Sequence, residues 1–399
     1  MERRNYGQKV ALLGTLPPLR AISSYCYELS HAIANYCNIE FISFKSIYPV
    51  FLYPGGNLAD DTTYPEITNP AIRVRRRLTW YNPLSWIMEG LLPRAELLHA
   101  QWWSLPLFPV FLTICILFKL RKKPIIFTVH NVLPHDNSRL YKILSRLLFK
   151  VGDHFIVHSS IGRQQMTVHY RIPKECISVI PHGSLDFFVK KQKDPVTVRH
   201  EMGFSDKELI IFIFGAIRPY KGIDTAIKAM ARVVEHLPEA RLLIAGKLWE
   251  DWAPYERLIN QLELSGHITL HLEYIPSNQV HRFFEISDLC IFPYRHFDSQ
   301  SGAAATAISF RKPLILTNVG GLPELAAGNN AVVEPDAPQA LANKIIRFFQ
   351  DPAFREQMTA NTGTVSQKLN WTDIAKETVK VYKKTIEQKE KRKSNARSL

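Results

Sequence analysis

The feature that most constrains this chain is an alternation carried through its whole length, in which short, continuously apolar runs are each followed by a stretch of helical periodicity. Such runs read as strands buried on both faces, and intervening helices are what parallel pairing requires. In the first half, strands are predicted at KVALLG from Lys9, IEFISF from Ile39, LLHAQ from Leu97, PIIFTVHNV from Pro124, HFIVHS from His154 and CISVIPHG from Cys176. Helices are predicted over Ser23 to Tyr36, Leu107 to Leu120, Ser138 to Lys150 and Ile161 to Tyr170.

After the polar stretch KKQKDP around Lys190 to Pro195, the alternation restarts with LIIFIFGA from Leu209 and a helix from Gly222 to Leu237. Strands follow at ARLLIAG from Ala240, HITLHLEYI from His267, DLCIFPY from Asp288, PLILTN from Pro313 and NAVVEP from Asn330. The expected class is therefore α/β, with two Rossmann-like domains facing a cleft, because ligands of such sheets bind beyond the carboxyl ends of the strands. The first domain is expected over 1–190 on the acceptor side and the second over 191–370 on the donor side, followed by a last helix and basic tail over 371–399. In that helix, WTDIAKETVKVYKK, the packing candidates are Ile374, Val379 and Val381.

Composition excludes several classes. With 399 residues, 46% hydrophobic and 22% charged, the chain has apolar material for two cores and is not disordered. Its five cysteines are odd in number and scattered, with no CxxC pair, which argues against a disulfide framework or a zinc site and fits a reducing cytosol. The opening MERRNYGQKVALLG enters a strand without the apolar stretch of a signal peptide. The apolar run Leu105 to Phe118 is shorter than the roughly 20 residues a span needs and is expected to be a buried helix. Residues 1–200 hold 25 basic and 13 acidic side chains, against 25 and 23 in the remainder, so the first half carries most of the +14 net charge. That asymmetry suggests a phosphate-bearing or membrane-surface partner, or simply solvated charge.

Two stretches can carry chemistry. FGAIRPYKGID, from Phe214 to Asp224, places Gly215, Arg218 and Lys221 where a strand gives way to a helix. Two cations and a permissive turn beside a helix start outline a diphosphate clamp, with a solvated turn as the alternative. The second, from Ser287 to Glu324, ends a strand at Tyr294, carries Asp298, Gln300 and Ser301 in a polar loop, and opens a small-residue helix at Gly302 and Ala303. Small residues there let backbone N–H groups approach an anion or sugar, and a capped αβ turn is the alternative. Gly320 and Gly321 then precede Glu324, whose carboxylate can accept from hydroxyls.

Together with VALLG, HAQWW around His99, TVHNVLPHD around His130 and VIPHG ending at Gly183, these stretches resemble family 4 glycosyltransferases, a retaining group with the two-Rossmann glycosyltransferase B fold. The resemblance extends over most of the chain, and WTDIAKETVKVY is similar to the family's last helix, which crosses back to the first domain. It implies sugar transfer from a nucleotide-diphosphate donor to an acceptor hydroxyl with retention. By the family's pattern Arg218 and Lys221 would hold the diphosphate, the backbone around Ser301, Gly302 and Ala303 would meet the diphosphate or sugar, and His130 would lie near the donor sugar. Where the family commonly has two glutamates seven residues apart, this chain has Asp298 and Thr306, so Glu324 or backbone would take the ribose. The family's glycine pair after the first strand is replaced within LLGTLPPLRAISSY.

No Asp-x-Asp motif is present, so the expectation is a donor site without metal or other cofactor, its diphosphate neutralised by cationic side chains. For the acceptor, SRLYKILSRLLFK sets Arg139, Lys142, Arg146 and Lys150 among leucines at helical spacing. Its apolar face either lies on an anionic membrane or packs on the first sheet. With RVRRR from Arg73 and KLRKK from Lys119, it suggests a peripheral position on the inner membrane face and a lipid-linked or cell-envelope glycan acceptor. A nucleotide-sugar-binding protein without turnover and an epimerase of the same fold are the competing functions. No nucleic-acid module is recognisable, so nucleic acid is not an expected partner.

Overall fold

The computed structural model describes residues 8–47, 49, 61–133, 139–189, 194–326 and 328–395. Residues 134–136 of the TVHNVLPHD motif, the start of the helix predicted from Ser138, residues 190–193 of KKQKDP and the last four residues of the basic tail lie outside them. The chain divides into two units: one runs up to Gly183 and resumes at Trp371, and the other comprises Ser184–Asn370. The boundary therefore falls before, not after, the stretch near residue 190. Ser184 donates through its backbone N and its Oγ to Leu369 O, and Leu185 N donates to Ser309 Oγ, which ties the segment to the second unit.

In the first unit the strands are β1 (Lys9–Gly14), β2 (Asn38–Ser46), β3 (Ile72–Thr79), β4 (Leu97–Trp102), β5 (Ile125–Val129), β6 (His154–Val157) and β7 (Ile177–Val179). They form one parallel sheet in the order β3-β2-β1-β4-β5-β6-β7. Between them run α1 (Ser23–Ile33), α2 (Pro83–Leu91), α3 (Phe108–Leu120), α4 (Arg139–Phe149) and α5 (Ser160–Tyr170). Both sheet faces are apolar: Leu13, Phe111, Phe127 and Phe155 pack on one, and Val10, Leu12, Tyr25 and Ile39 on the other. Full burial of such a side chain contributes about 1.5–3 kcal/mol. The run from Leu105 to Phe118 is a helix as expected, with Val110, Phe111, Ile114 and Phe118 buried. No helix among the described residues is long and apolar enough to cross a membrane.

Two elements were not expected. RVRRR belongs to β3, whose alternating pattern is written in arginines rather than apolar residues. Arg75 points inward, where its Nε lies 2.6 Å from Glu89 Oε2 of α2, an ion pair in which both side chains are buried. Arg76 donates to the Leu16 and Pro17 carbonyls. The basic stretch is thus partly internal scaffolding, since a buried guanidinium is tolerated only when paired.

The second unit holds α6 (Pro195–Glu201), β8 (Leu209–Phe214), α7 (Ile223–His236), β9 (Ala240–Ala245), α8 (Ala253–Gln261), β10 (Ile268–His271), α9 (Val280–Ile286) and β11 (Leu289–Phe292). It continues with α10 (Gly302–Ser309), β12 (Leu314–Thr317), β13 (Val332–Val333), α11 (Pro338–Gln350) and α12 (Pro352–Lys368). Its sheet is also parallel, in the order β10-β9-β8-β11-β12-β13. Each sheet reverses its winding direction once, between β1 and β4 and between β8 and β11, and such a reversal opens a crevice where ligands bind. The last helix, α13 (Trp371–Asn395), packs in the first unit with Ile374, Val379 and Val381 buried.

Candidate functional site

The loops after β8 and β11 flank the reversal of the second sheet and carry the cations. After β8, Ile217 pairs with Leu248 and accepts from Trp249 N, which extends the strand pairing and sets Arg218 over the Trp249 ring, 3.8 Å from its centroid. Pro219–Lys221 then makes one 3-10 turn into Gly222, whose φ of +67° starts α7. A Cβ at Gly222 would lie 1.9 Å from the Pro293 carbonyl oxygen, so only glycine lets the two loops approach this closely.

Lys221 is turned inward. Its Nζ donates to Tyr294 Oη at 2.5 Å and sits 4.4 Å from that ring's centroid, and Tyr294 Oη is 3.0 Å from Ser301 Oγ. Burial, with the Arg218 charge adding to it, pushes the Lys221 amine down to about 7. Arg218 and Lys221 form no ion pair among the described residues. An unpaired cation removed from water is costly, and an anionic ligand offsets that cost. Arg295 fixes the geometry from outside: it bonds Asp224 at 2.5 Å and Asp336 at 2.7 Å, while its backbone N donates to Tyr220 O.

The structure gathers several expected residues around this amine. A Cβ at Gly215 would stand 3.2 Å from Lys221 Nζ and 3.5 Å from Ala303 Cβ, so Gly215, Lys221 and Ala303 bound one small space. Ser301 caps α10 by accepting from Ala304 N, which aims the positive end of the Gly302–Ser309 helix at the same place. Gln300 is buried one residue earlier, and Asp298 lies in the preceding loop. Gly321 N donates to Ser299 O, and a Cβ at Gly320 would lie 1.6 Å from Phe297 O, so the loop after β12 is pressed against the loop after β11.

Two expected donor residues stand differently. Thr306 is buried and its hydroxyl donates to Gly302 O at 2.8 Å, inside its own helix. Glu324 is exposed on a short 3-10 turn, Pro323–Leu325, after β12. Tyr294 and Trp249, the groups that touch the two cations, were not singled out by sequence. The available signal was an aromatic residue at the end of a strand facing a basic loop.

In the first unit, His130 follows β5 and is buried among three other histidines. Its Nδ1 is 3.3 Å from His158 Nε2 and its Nε2 is 3.0 Å from the side-chain amide of Gln101. That amide also reaches His99 at 3.1 Å, and His99 meets Tyr382 Oη and Thr128 Oγ1, each at 2.7 Å. His158 Nδ1–H donates to Ile180 O, and the edge of Tyr25 lies against His130, His158 and His182. Burial first, and then mutual repulsion, holds His130 well below its usual range, His158 at about 3 and His182, by burial, at about 4. His130 is therefore neutral with both ring nitrogens engaged, and acid-base work there would require breaking one of these contacts.

No group of three or more His, Cys, Asp or Glu among the described residues is arranged to hold a metal ion.

The model of glycosyl transferases group 1 matches residues 197–365, and that of glycosyltransferase family 4 matches residues 23–184. An uncharacterized glycosyltransferase of Methanocaldococcus jannaschii is 28% identical over 261 residues, which are 63% of this chain and 65% of that protein. A D-inositol 3-phosphate glycosyltransferase of Segniliparus rotundus is 25% identical over 244 residues, 57% of this chain and 54% of its own length. The chain thus spans less than two thirds of these relatives. Among solved structures, Anabaena HepE in complex with UDP and glucose superposes with a TM-score of 0.72 at 15% identity, covering 94% of this chain and 100% of that one. Sucrose-phosphate synthase from Thermosynechococcus elongatus gives 0.69 at 19% identity, covering 94% and 98%. The architecture of two parallel-sheet domains is that of the glycosyltransferase B fold.

Proposed function

The chain belongs to the group 1 glycosyltransferases, and from that premise we propose that it transfers a sugar from a nucleotide-diphosphate donor to an acceptor hydroxyl. The observation that carries the reading is the buried Lys221, ion-paired to no carboxylate among the described residues, beside Arg218 at the reversal of the second sheet. The anomeric carbon–oxygen bond to the diphosphate breaks, a bond to the acceptor oxygen forms with retention, and the acceptor's proton passes to the departing diphosphate. Arg218 and Lys221 hold the diphosphate and take up its growing charge, the kind of electrostatic stabilisation that dominates such reactions. The α10 N-terminus at Ser301, Gly302 and Ala303 receives the diphosphate or sugar, with Gly215 leaving it room. Asp298 and Gln300 face the sugar hydroxyls, and Glu324 rather than Thr306 serves the ribose. His130 acts near the donor sugar as a neutral hydrogen-bonding group.

Because two cations can neutralise the diphosphate directly, transfer needs no added metal. The acceptor is a lipid-linked or cell-envelope glycan, reached from a peripheral position on an anionic membrane. UDP-sugars are the first donors to try, since HepE carries UDP in its structure.

A thermal-shift and hydrolysis screen against UDP-, GDP-, ADP- and TDP-sugars, with and without EDTA, tests this reading. A donor that stabilises the wild type, survives EDTA and loses its effect in Arg218→Ala and Lys221→Ala supports it. Tight binding with no turnover across acceptors would instead favour a binding protein, the reading that Thr306 motivates.

A further inference from the structure

The large apolar side chains that this protein leaves in water are concentrated in one place. Among the described residues, eleven of the sixteen lie between Tyr81 and Leu147, on α2, α3, α4 and their immediate flanks. These helices are neighbours: α2 packs on α3 and α3 on α4. At Gly90 the first two approach so closely that a Cβ would lie 2.5 Å from Leu117 Cδ1.

Each helix also has a buried side, so the exposed residues are a second face and not a failure to pack. In α4, Tyr141, Ser145, Leu148 and Phe149 turn inward, while Leu140, Ile143 and Leu147 form an outward stripe at helical spacing. The apolar leucines that the amphipathic pattern offered to the sheet are thus in part on the solvent side. In α2 the outward stripe is Leu84, Met88 and Leu91, and Leu120 of α3 is 73% exposed. Contiguous apolar surface of this kind on a soluble protein marks an interaction site.

Charge identifies the occupant. α3 and α4 contain no acidic residue, and the single acid of α2, Glu89, is buried against Arg75. Exposed Arg139, Arg146 and Lys150 accompany the α4 stripe, and exposed Tyr81, an aromatic type favoured at membrane interfaces, stands before α2. A second copy would set cations against cations, whereas an anionic bilayer offers hydrocarbon and phosphate together.

We propose that the outward faces of α2, α3 and α4 dock on an anionic membrane surface, inserting their apolar stripes while the α4 cations engage lipid phosphates. The purpose of such docking rests on the lipid-linked acceptor proposed above, but the docking itself is measured without it. The basic stretches contribute less than their charge suggests, because Arg75 is buried against Glu89, Arg76 bonds the Leu16 and Pro17 carbonyls, Lys119 bonds Asp153 and Arg121 bonds the Gly90 and Pro93 carbonyls. The contact is therefore led by apolar insertion and outlasts salt screening.

Flotation of the full chain with vesicles of phosphatidylcholine and phosphatidylglycerol, at roughly 0.15 M and roughly 1 M salt, tests this. The expected result is binding at both salt levels, weaker on phosphatidylcholine alone. Leu84→Ser/Met88→Ser/Leu91→Ser and Leu140→Ser/Ile143→Ser should each lower partitioning by roughly tenfold or more. Val196→Ser/Leu270→Ser, exposed on α6 and β10 of the second unit, should not. Circular dichroism spectra and melting curves matching the wild type show that the serine variants are folded. Binding abolished by 1 M salt, indifferent to the serine variants, or equally tight on phosphatidylcholine would overturn the proposal. So would a wild-type dimer that these variants dissolve in sedimentation velocity. Wild type that floats yet transfers no sugar would sink the enzymatic reading and leave the docking intact.

Discussion

The two sheets end in loops of opposite electrical character. Within β4 and just after β5, β6 and β7, buried His99, His130 and His158 and half-buried His182 form a cluster whose hydrogen bonds run to one another, to Gln101, Thr128 and Tyr382, and to backbone carbonyls. In the loop after β8, Lys221 faces a space bounded by Gly215, a hydroxyl network and the α10 start, and the charge of Arg218, held over the Trp249 ring, acts on its amine. Burial acts in the same direction on both, disfavouring the charged form, but only the second region retains charge near neutral pH. The first region meets its hydrogen-bonding needs among its own groups, whereas in the second a buried amine meets only a hydroxyl and no carboxylate among the described residues.

The largest test of that contrast is acid. Histidines whose folded pKa is depressed take up protons more readily in the unfolded chain, so the first unit loses stability as pH falls from about 6.5 towards 3. Each such histidine costs about 1.4 kcal/mol per pH unit over that window. Hydrogen exchange at acid pH should open β5 and β6 before β8 and β11, and simultaneous opening would erase the distinction. Lys221 acts in another window: its amine is depressed from 10.5 to about 7, so its contribution to stability rises with pH between those values. Donor binding, which favours the charged amine, weakens over the same range, and this pH slope should vanish in Lys221→Met.

Close backbone approach is the next test. Gly222→Ala places a methyl against the Pro293 carbonyl at positive φ and should cost roughly 3 kcal/mol in chemical denaturation. Gly266→Ala, with nothing within 4 Å of its Cβ, should stay within about 0.5 kcal/mol of wild type. Arg218→Ala or Lys221→Ala should lower transfer by roughly a hundredfold, read as kcat/KM, with the melting temperature of the first unit unmoved. The smallest effect is expected from Tyr294→Phe, which removes the hydroxyl between Lys221 and Ser301 and should weaken donor binding by roughly tenfold in titration calorimetry.

The apolar strands were legible because two-sided burial writes itself as continuous hydrophobic runs, as in KVALLG and LIIFIF. β3 was not, because an edge strand such as IRVRRRLT can face water and ion-paired neighbours with arginine. α2 escaped with it, since its hydrophobic residues point outward and its glutamate inward, the reverse of the usual pattern. In the site, glycine and cation positions could be read from local spacing. Tyr294 and Trp249 could not, because their contacts join loops that follow different strands.

The position of α13 bears on how the protein is made. Tyr382 is fully buried in the first unit and bonds His99, 283 positions earlier in sequence. During synthesis the first sheet therefore emerges with that flank uncovered and waits while the whole second unit is translated and can fold on its own. Only when the terminal helix leaves the ribosome is the earliest part of the chain completed. A chaperone that recognises exposed apolar surface would find its longest-lived target beside β1 and α1, and a stop codon after Asn370 would make that exposure permanent.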